Sequence, residues 1–148
     1  MTPSTRNTII AAVIVIAGAV GGCVNTSKDI KLSPQAQLNG TSWQLGKIGD
    51  QPVEEGTQPT LQFTQSGQVS GSGSCNRFSG TVTLSGESIS FGPLAATKMA
   101  CADSINAQET QYFYALSTAQ RFVLQGNSLQ IYTSAMDRPL LFVRIAPN

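Results

Sequence analysis

The sequence predicts an α+β fold: a mostly antiparallel sheet, curled or rolled into an incomplete barrel, with one packed helix, following a cleaved signal peptide. Three observations carry this. Short runs with apolar residues at every second position recur along the body and are separated by turn signals. A single stretch near residues 103–117 has helical rather than strand periodicity. No internal repeat or second domain interrupts the 148 residues, a length that suits one domain and a short leader.

The leader comes first. Residues 1–8 are polar with one cation, Arg6, and residues 9–20 are unbroken apolar or small sequence ending in Gly21-Gly22-Cys23. A charged start, a greasy middle and a small-residue end are the order of a secretory signal. Twelve helical residues span about 18 Å, short of a ~30 Å hydrocarbon core, so a permanent membrane helix is the weaker reading. Residues 1–22 are therefore expected to be removed, and residues 23–37, polar and containing Ser33-Pro34, to form a flexible tether. Without Arg6 the basic and acidic counts are equal.

The body, residues 38–148, opens with Thr41–Ile48, where Trp43 and Leu45 alternate with polar neighbours. Trp43, the sole tryptophan, reads as core rather than as a ligand platform. Residues 49–59 form a loop in which Glu54 and Glu55 read as solvated carboxylates. Leu61 and Phe63 mark the next strand, Gln65-Ser66-Gly67 a turn, and Val69, Gly71 and Gly73 the inward positions of another. Glycines at successive inward positions leave room for a backbone or a bulky side chain. A phosphate-binding loop is excluded, because the Gly-Lys-Ser/Thr ending and a following helix are missing.

Residues 76–80 read as a loop, and Gly80–Leu84 and Ser88–Phe91 as a hairpin. Cys75 and Cys101 bracket that hairpin. An oxidising compartment favours their pairing; two buried thiols are the alternative, and a metal site would fall short of four ligands. Asp103 or Ser104 is expected to cap the helix, with Ile105, Tyr112, Phe113 and Leu116 on its buried stripe and Glu109 beside it as an exposed carboxylate. Three strands close the chain: Arg121–Gln125, Ser128–Thr133 after a Gly126-Asn127 turn, and Leu140–Ile145, apolar on both faces. The expected core is Trp43, Leu61, Phe63, Val82, Leu84, Ile89, Phe91, Phe113, Leu116, Leu129, Ile131 and Val143.

Composition narrows the function. A net charge of +1 with 11% charged residues provides no basic surface for nucleic acid. The chain has no histidine, which removes the commonest general base and metal ligand. No catalytic, cofactor-binding or metal-binding residues are expected, and no enzyme.

Two stretches carry resemblances. Val20-Gly21-Gly22-Cys23 resembles a bacterial lipoprotein box, which implies cleavage before Cys23 and acylation of its thiol and amine. Several acyl chains anchor stably where one does not. Val24 after the cysteine, by the sorting habit of such lipoproteins, implies the periplasmic face of the outer membrane. The second resemblance runs through residues 73–80, 89–94 and 97–101, with looser support from residues 38–45 and 109–113. These segments are similar to the META domain, or HslJ-like, family of bacterial envelope proteins. Ser74 departs from the family pattern, in which Gly often precedes Cys-Asn. The resemblance implies a Cys75–Cys101 disulfide, no catalytic residues, and loose links to heat stress, antibiotic tolerance, motility or virulence. The expected function is a monomeric, non-enzymatic, lipid-anchored envelope protein with a stress-response or antibiotic-tolerance role and a possible envelope protein partner. The alternative is a pilotin-like assembly chaperone, which requires an unfilled apolar groove near Phe113, Leu116 or Trp43.

Overall fold

A computed structural model describes residues 32–146. The signal peptide, Cys23 and most of the expected tether lie outside those residues. The tether's last residues do not: α1 (Pro34–Leu38) is a single helical turn, with Ser33 Oγ accepting from the Ala36 amide and Pro at its first position. Leu38, at the end of that turn, is fully buried.

The strands are β1 (Thr41–Ile48), β2 (Gln51–Pro52), β3 (Thr60–Phe63), β4 (Gln68–Ser72), β5 (Arg77–Ser85), β6 (Ser88–Phe91), β7 (Ala95–Ala96), β8 (Ala119–Gln125), β9 (Ser128–Thr133) and β10 (Leu140–Ile145), with α2 (Asp103–Ser117) between β7 and β8. Eight of them form a closed antiparallel barrel in the order β1-β3-β4-β5-β6-β8-β9-β10, and β10 pairs back onto β1. β2 and β7 are two-residue additions to β1 and β5. The expected incomplete barrel is therefore corrected to a closed one. Closure rests on the first and last strands, which pair from Ser42↔Ile145 to Ile48↔Leu140. The wall is thinnest between β6 and β8, where the register is Ser88↔Arg121 alone.

Alternation builds the interior. Trp43, Leu45, Leu61, Phe63, Phe122, Leu129, Ile131 and Phe142 are buried to within 1%. In β1 the register slips between Leu45 and Lys47, and this bulge turns Ile48 inward against strict alternation. The same pairing corrects the core list. Phe142 pairs with Leu45 inside the barrel, so Val143, one residue on, faces out and is 58% exposed. Leu84 and Phe91, near the ends of their strands, are half-buried, as is Phe113 on α2. β5 also begins at Arg77, so most of the expected 76–80 loop is strand.

The antiparallel order defines two ends. α1, the β3–β4 and β5–β6 turns and the end of β10 lie at one. The loop between β4 and β5 and the start of β3 lie at the other, where α2 packs. At the first end Gln35 Oε1 accepts from the Gly86 amide, and Leu38 carbonyl oxygen accepts from Thr41 Oγ1. At the second, Tyr112 sits among Phe78, Phe113 and Phe142 and donates its hydroxyl proton to the Thr60 carbonyl. Burial pushes the Tyr112 phenol well above its ordinary range. No described helix is long and apolar enough to cross a membrane.

Candidate functional site

Buried side-chain hydrogen bonds and a disulfide converge on the loop Gly73–Asn76 and the face of α2 opposite it. The N-cap of α2 is Ala102, whose carbonyl receives the first helical bond from the Asn106 amide. Neither Asp103 nor Ser104 caps it, although Asp103 places a carboxylate in the first turn, where the helix dipole favours it. The buried face is rotated from the expected stripe and carries Gln108 and Glu109 together with Tyr112, Ala115 and Leu116.

Glu109 corrects the reading of an exposed carboxylate: it is 7% exposed and fully engaged. Its Oε2 accepts from the backbone amides of Cys75 (3.1 Å) and Asn76 (2.6 Å), and its Oε1 accepts from Asn76 Nδ2 (2.5 Å). Asn76, also buried, turns its other side-chain atom the opposite way. Asn76 Oδ1 accepts from Thr97 Oγ1 (2.9 Å) and from the Met99 amide (2.7 Å). One asparagine thus ties α2, the β4–β5 loop and the connector before α2 into a single unit. Buried polar groups of this kind stabilise only when every member finds a partner, and here each one does.

Cys75 and Cys101 meet across the same unit as a disulfide with Cα atoms 6.1 Å apart, inside the range a bridge requires. Gln108 is the second polar anchor. Its Nε2 donates to Ser74 Oγ (2.8 Å) and Thr57 Oγ1 (3.1 Å), and its Oε1 accepts from the Glu54 amide. Ser74 holds φ +110°, a region that favours glycine, at the position where it departs from the family pattern.

The inward glycines are explained here. A Cβ on Gly73 would meet the Glu109 carboxylate and the Phe113 ring, and one on Gly71 would collide with the Thr60 carbonyl and press on Phe78. The close approach anticipated at these two positions is real, and its beneficiaries are Glu109 and an aromatic cluster. Glu109 and Asn76 were the residues that sequence reasoning missed. The available signal was a lone acid beside an apolar helix stripe, together with an asparagine following a cysteine, and neither points to the other.

The three residues at which a pilotin-like reading places its groove are packed within the protein. Trp43 and Leu116 are fully buried, and Phe113 packs edge-on against Phe78 at 5.2 Å. Trp43 donates its indole proton to Thr41 Oγ1, and the Arg144 guanidinium lies 4.8 Å from its ring centre. Glu54 and Glu55 are exposed on their loop. Among the described residues no three His, Cys, Asp or Glu side chains gather as a metal site.

A family model for the META domain matches residues 36–146. No curated protein matches the sequence. One protein solved by NMR is 28% identical with a TM-score of 0.62, and the alignment covers 76% of this chain and 95% of that one. An NMR structure of a protein from Burkholderia xenovorans is 24% identical with a TM-score of 0.64, covering 99% and 100%. A crystal structure of a DUF4847 family protein from Bacteroides vulgatus ATCC 8482 is 13% identical with a TM-score of 0.56, covering 77% and 99%. The last two likenesses concern the fold alone. Since the family model spans the barrel from within α1 to just beyond β10, this chain belongs to the META domain family.

Proposed function

We propose that this protein is a non-enzymatic envelope lipoprotein, held at the membrane through Cys23, with a role in stress response or antibiotic tolerance. The observation that carries the compartment is the Cys75–Cys101 bridge, since disulfides persist beyond the inner membrane and are rare in the cytosol. The greasy run ending at Gly21-Gly22-Cys23 supports the anchor. The non-enzymatic reading is supported by how the titratable groups are used. Glu109, the deeply placed carboxylate, spends its lone pairs on three donors of its own chain. Tyr112 is buried as a neutral hydrogen-bond donor to Thr60.

Mass spectrometry of protein taken from its native membranes tests the anchor. The expected result is loss of residues 1–22 and acylation of Cys23, with Cys23→Ser either released from membranes or left uncleaved. A native N-terminus elsewhere, without acyl mass, rejects it. For the role, a strain lacking the protein should survive heat or antibiotic challenge less well. Full-length protein should restore survival and Cys23→Ser should not.

A further inference from the structure

The outer wall of the barrel formed by β3, β4 and β5 is nearly free of charge. Its outward positions are Thr60 and Gln62 on β3, Gln68, Ser70 and Ser72 on β4, and Arg77, Ser79, Thr81 and Thr83 on β5. Cross-strand register lines them up in rows, Gln62↔Ser70↔Ser79 and Thr60↔Ser72↔Arg77. Cross-strand neighbours share a face, so each row presents hydroxyls and amides side by side.

This wall is concave. A depression of about 440 Å³ lies over Thr60, Gln62, Ser70, Ser72 and Arg77, and Gly71 and Phe78 also line it. A second, of about 360 Å³, continues past Arg77 and Phe78 to Ala95, Ala96 and Thr97. Because Arg77 and Phe78 line both, the two adjoin as one trough and meet at Arg77. Each part has the volume of a small-molecule site.

Side chains in the trough have hydrogen-bonding capacity to spare. Gln62 Oε1 accepts from Ser70 Oγ at 3.4 Å, while the Gln62 amide nitrogen has no partner among the described residues. The ion pair found among the described residues is Arg138–Asp50, so no described carboxylate lies within 4.0 Å of the Arg77 guanidinium. Within this wall β3, β4 and β5 are each paired on both sides, and β7, which pairs only with β5 among the described residues, is a two-residue edge too short to hold an extended peptide. The exposed apolar side chains that line the trough are the small Ala95 and Ala96, so an apolar partner would gain little there.

We infer that this trough binds an acidic, hydroxyl-rich saccharide, whose carboxylate or sulfate meets Arg77 and whose ring hydroxyls meet Gln62, Ser70 and Ser72. The guanidinium fork pairs two-pronged with carboxylates and with tetrahedral oxyanions alike, and a neutral hydroxyl-amide row complements sugar hydroxyls. The inference is independent of how the protein is anchored.

The test is two-dimensional NMR titration of the full chain in detergent with three probes. These are an oligosaccharide of alternating N-acetylglucosamine and glucuronate, a chitin oligosaccharide of the same length, and acetate. The expected result is shifts at Gln62, Ser70, Ser72 and Arg77 with the acidic sugar, which should bind about tenfold more tightly than the neutral one. Arg77→Gln should abolish that difference, and Gln62→Ala should weaken both sugars. Both side chains face outward, so a circular dichroism spectrum and melting temperature like those of the parent confirm that the fold is intact. Shifts scattered away from the trough, equal binding of the two sugars, or acetate reproducing the whole response would each overturn the inference.

Discussion

Asn76 and Glu109, 33 residues apart in the chain, are joined by two hydrogen bonds, one from the asparagine backbone and one from its side chain. The pair holds the β4–β5 loop on α2, while Asn76 Oδ1 holds the connector that leads into α2. The disulfide joins two of these segments, the β4–β5 loop and the connector, and the polar pair joins all three.

Glu109→Gln should show how much the carboxylate matters. The substitution keeps the shape but puts an amide nitrogen where an acceptor must face donors, leaving at least one buried N–H unpaired. Hydrogen bonds to charged groups contribute about 1.5–3 kcal/mol each, so a loss of about 3 kcal/mol is expected in urea unfolding. Asn76→Ala should cost a similar amount, and the double variant less than the sum, because the two share a network. Fully additive losses would mean that the residues act separately.

The disulfide is separable from this pair. Closing 26 residues is worth about 3–4 kcal/mol in the chain-entropy model. Cys75→Ser should lower the melting temperature accordingly, yet leave the Thr97 and Met99 bonds to Asn76 in place. Amide exchange at Met99 should therefore remain protected in Cys75→Ser and become fast in Asn76→Ala.

Ser74 carries two opposing effects. Its positive φ costs on the order of 1–3 kcal/mol in backbone strain, while its hydroxyl accepts a bond from Gln108 worth about 1 kcal/mol. Ser74→Gly removes both and should be neutral or mildly stabilising. Ser74→Ala removes only the bond and should destabilise by about 1 kcal/mol or more. Chemical denaturation of the two variants side by side checks the sign.

Tyr112 makes stability fall in alkali. Its folded pKa is raised above the unfolded value of about 10 by burial. The neutral phenol's contribution is thus complete below pH ~10 and is lost as pH climbs beyond it, by about 1.4 kcal/mol per unit for one proton. Tyr112→Phe should flatten that decline at the expense of the Thr60 bond. An unchanged alkaline slope would show that other groups set it.

The core list is checked by two substitutions on adjacent residues. Phe142→Ala should cost about 3–5 kcal/mol, and Val143→Ala less than about 0.5 kcal/mol, since one faces into the barrel and the other into solvent.

Much of the architecture is local and was legible. Ser128–Thr133 and Leu140–Ile145 match their observed bounds, and α2 ends where its periodicity ends. The hairpin turns at Gly67, Gly86 and Gly126 all use positive φ. The inward spacing of Gly71 and Gly73 even announced a close approach, though not what would approach.

By itself, the sequence determined the antiparallel hairpins, the single helix, and the pair of body cysteines that a bridge could join. These follow from periodicity and turn chemistry, which are written within a few residues. Only the tertiary structure decided that the sheet closes, that Val143 faces out, and that Glu109 is buried. An alternating strand says which residues share a face, but pairing with both neighbours is needed to make one of those faces an interior. A lone carboxylate beside an apolar stripe is solvated unless three donors converge on it. Here those donors come from a loop more than thirty residues away, brought there by the path of the chain around the barrel.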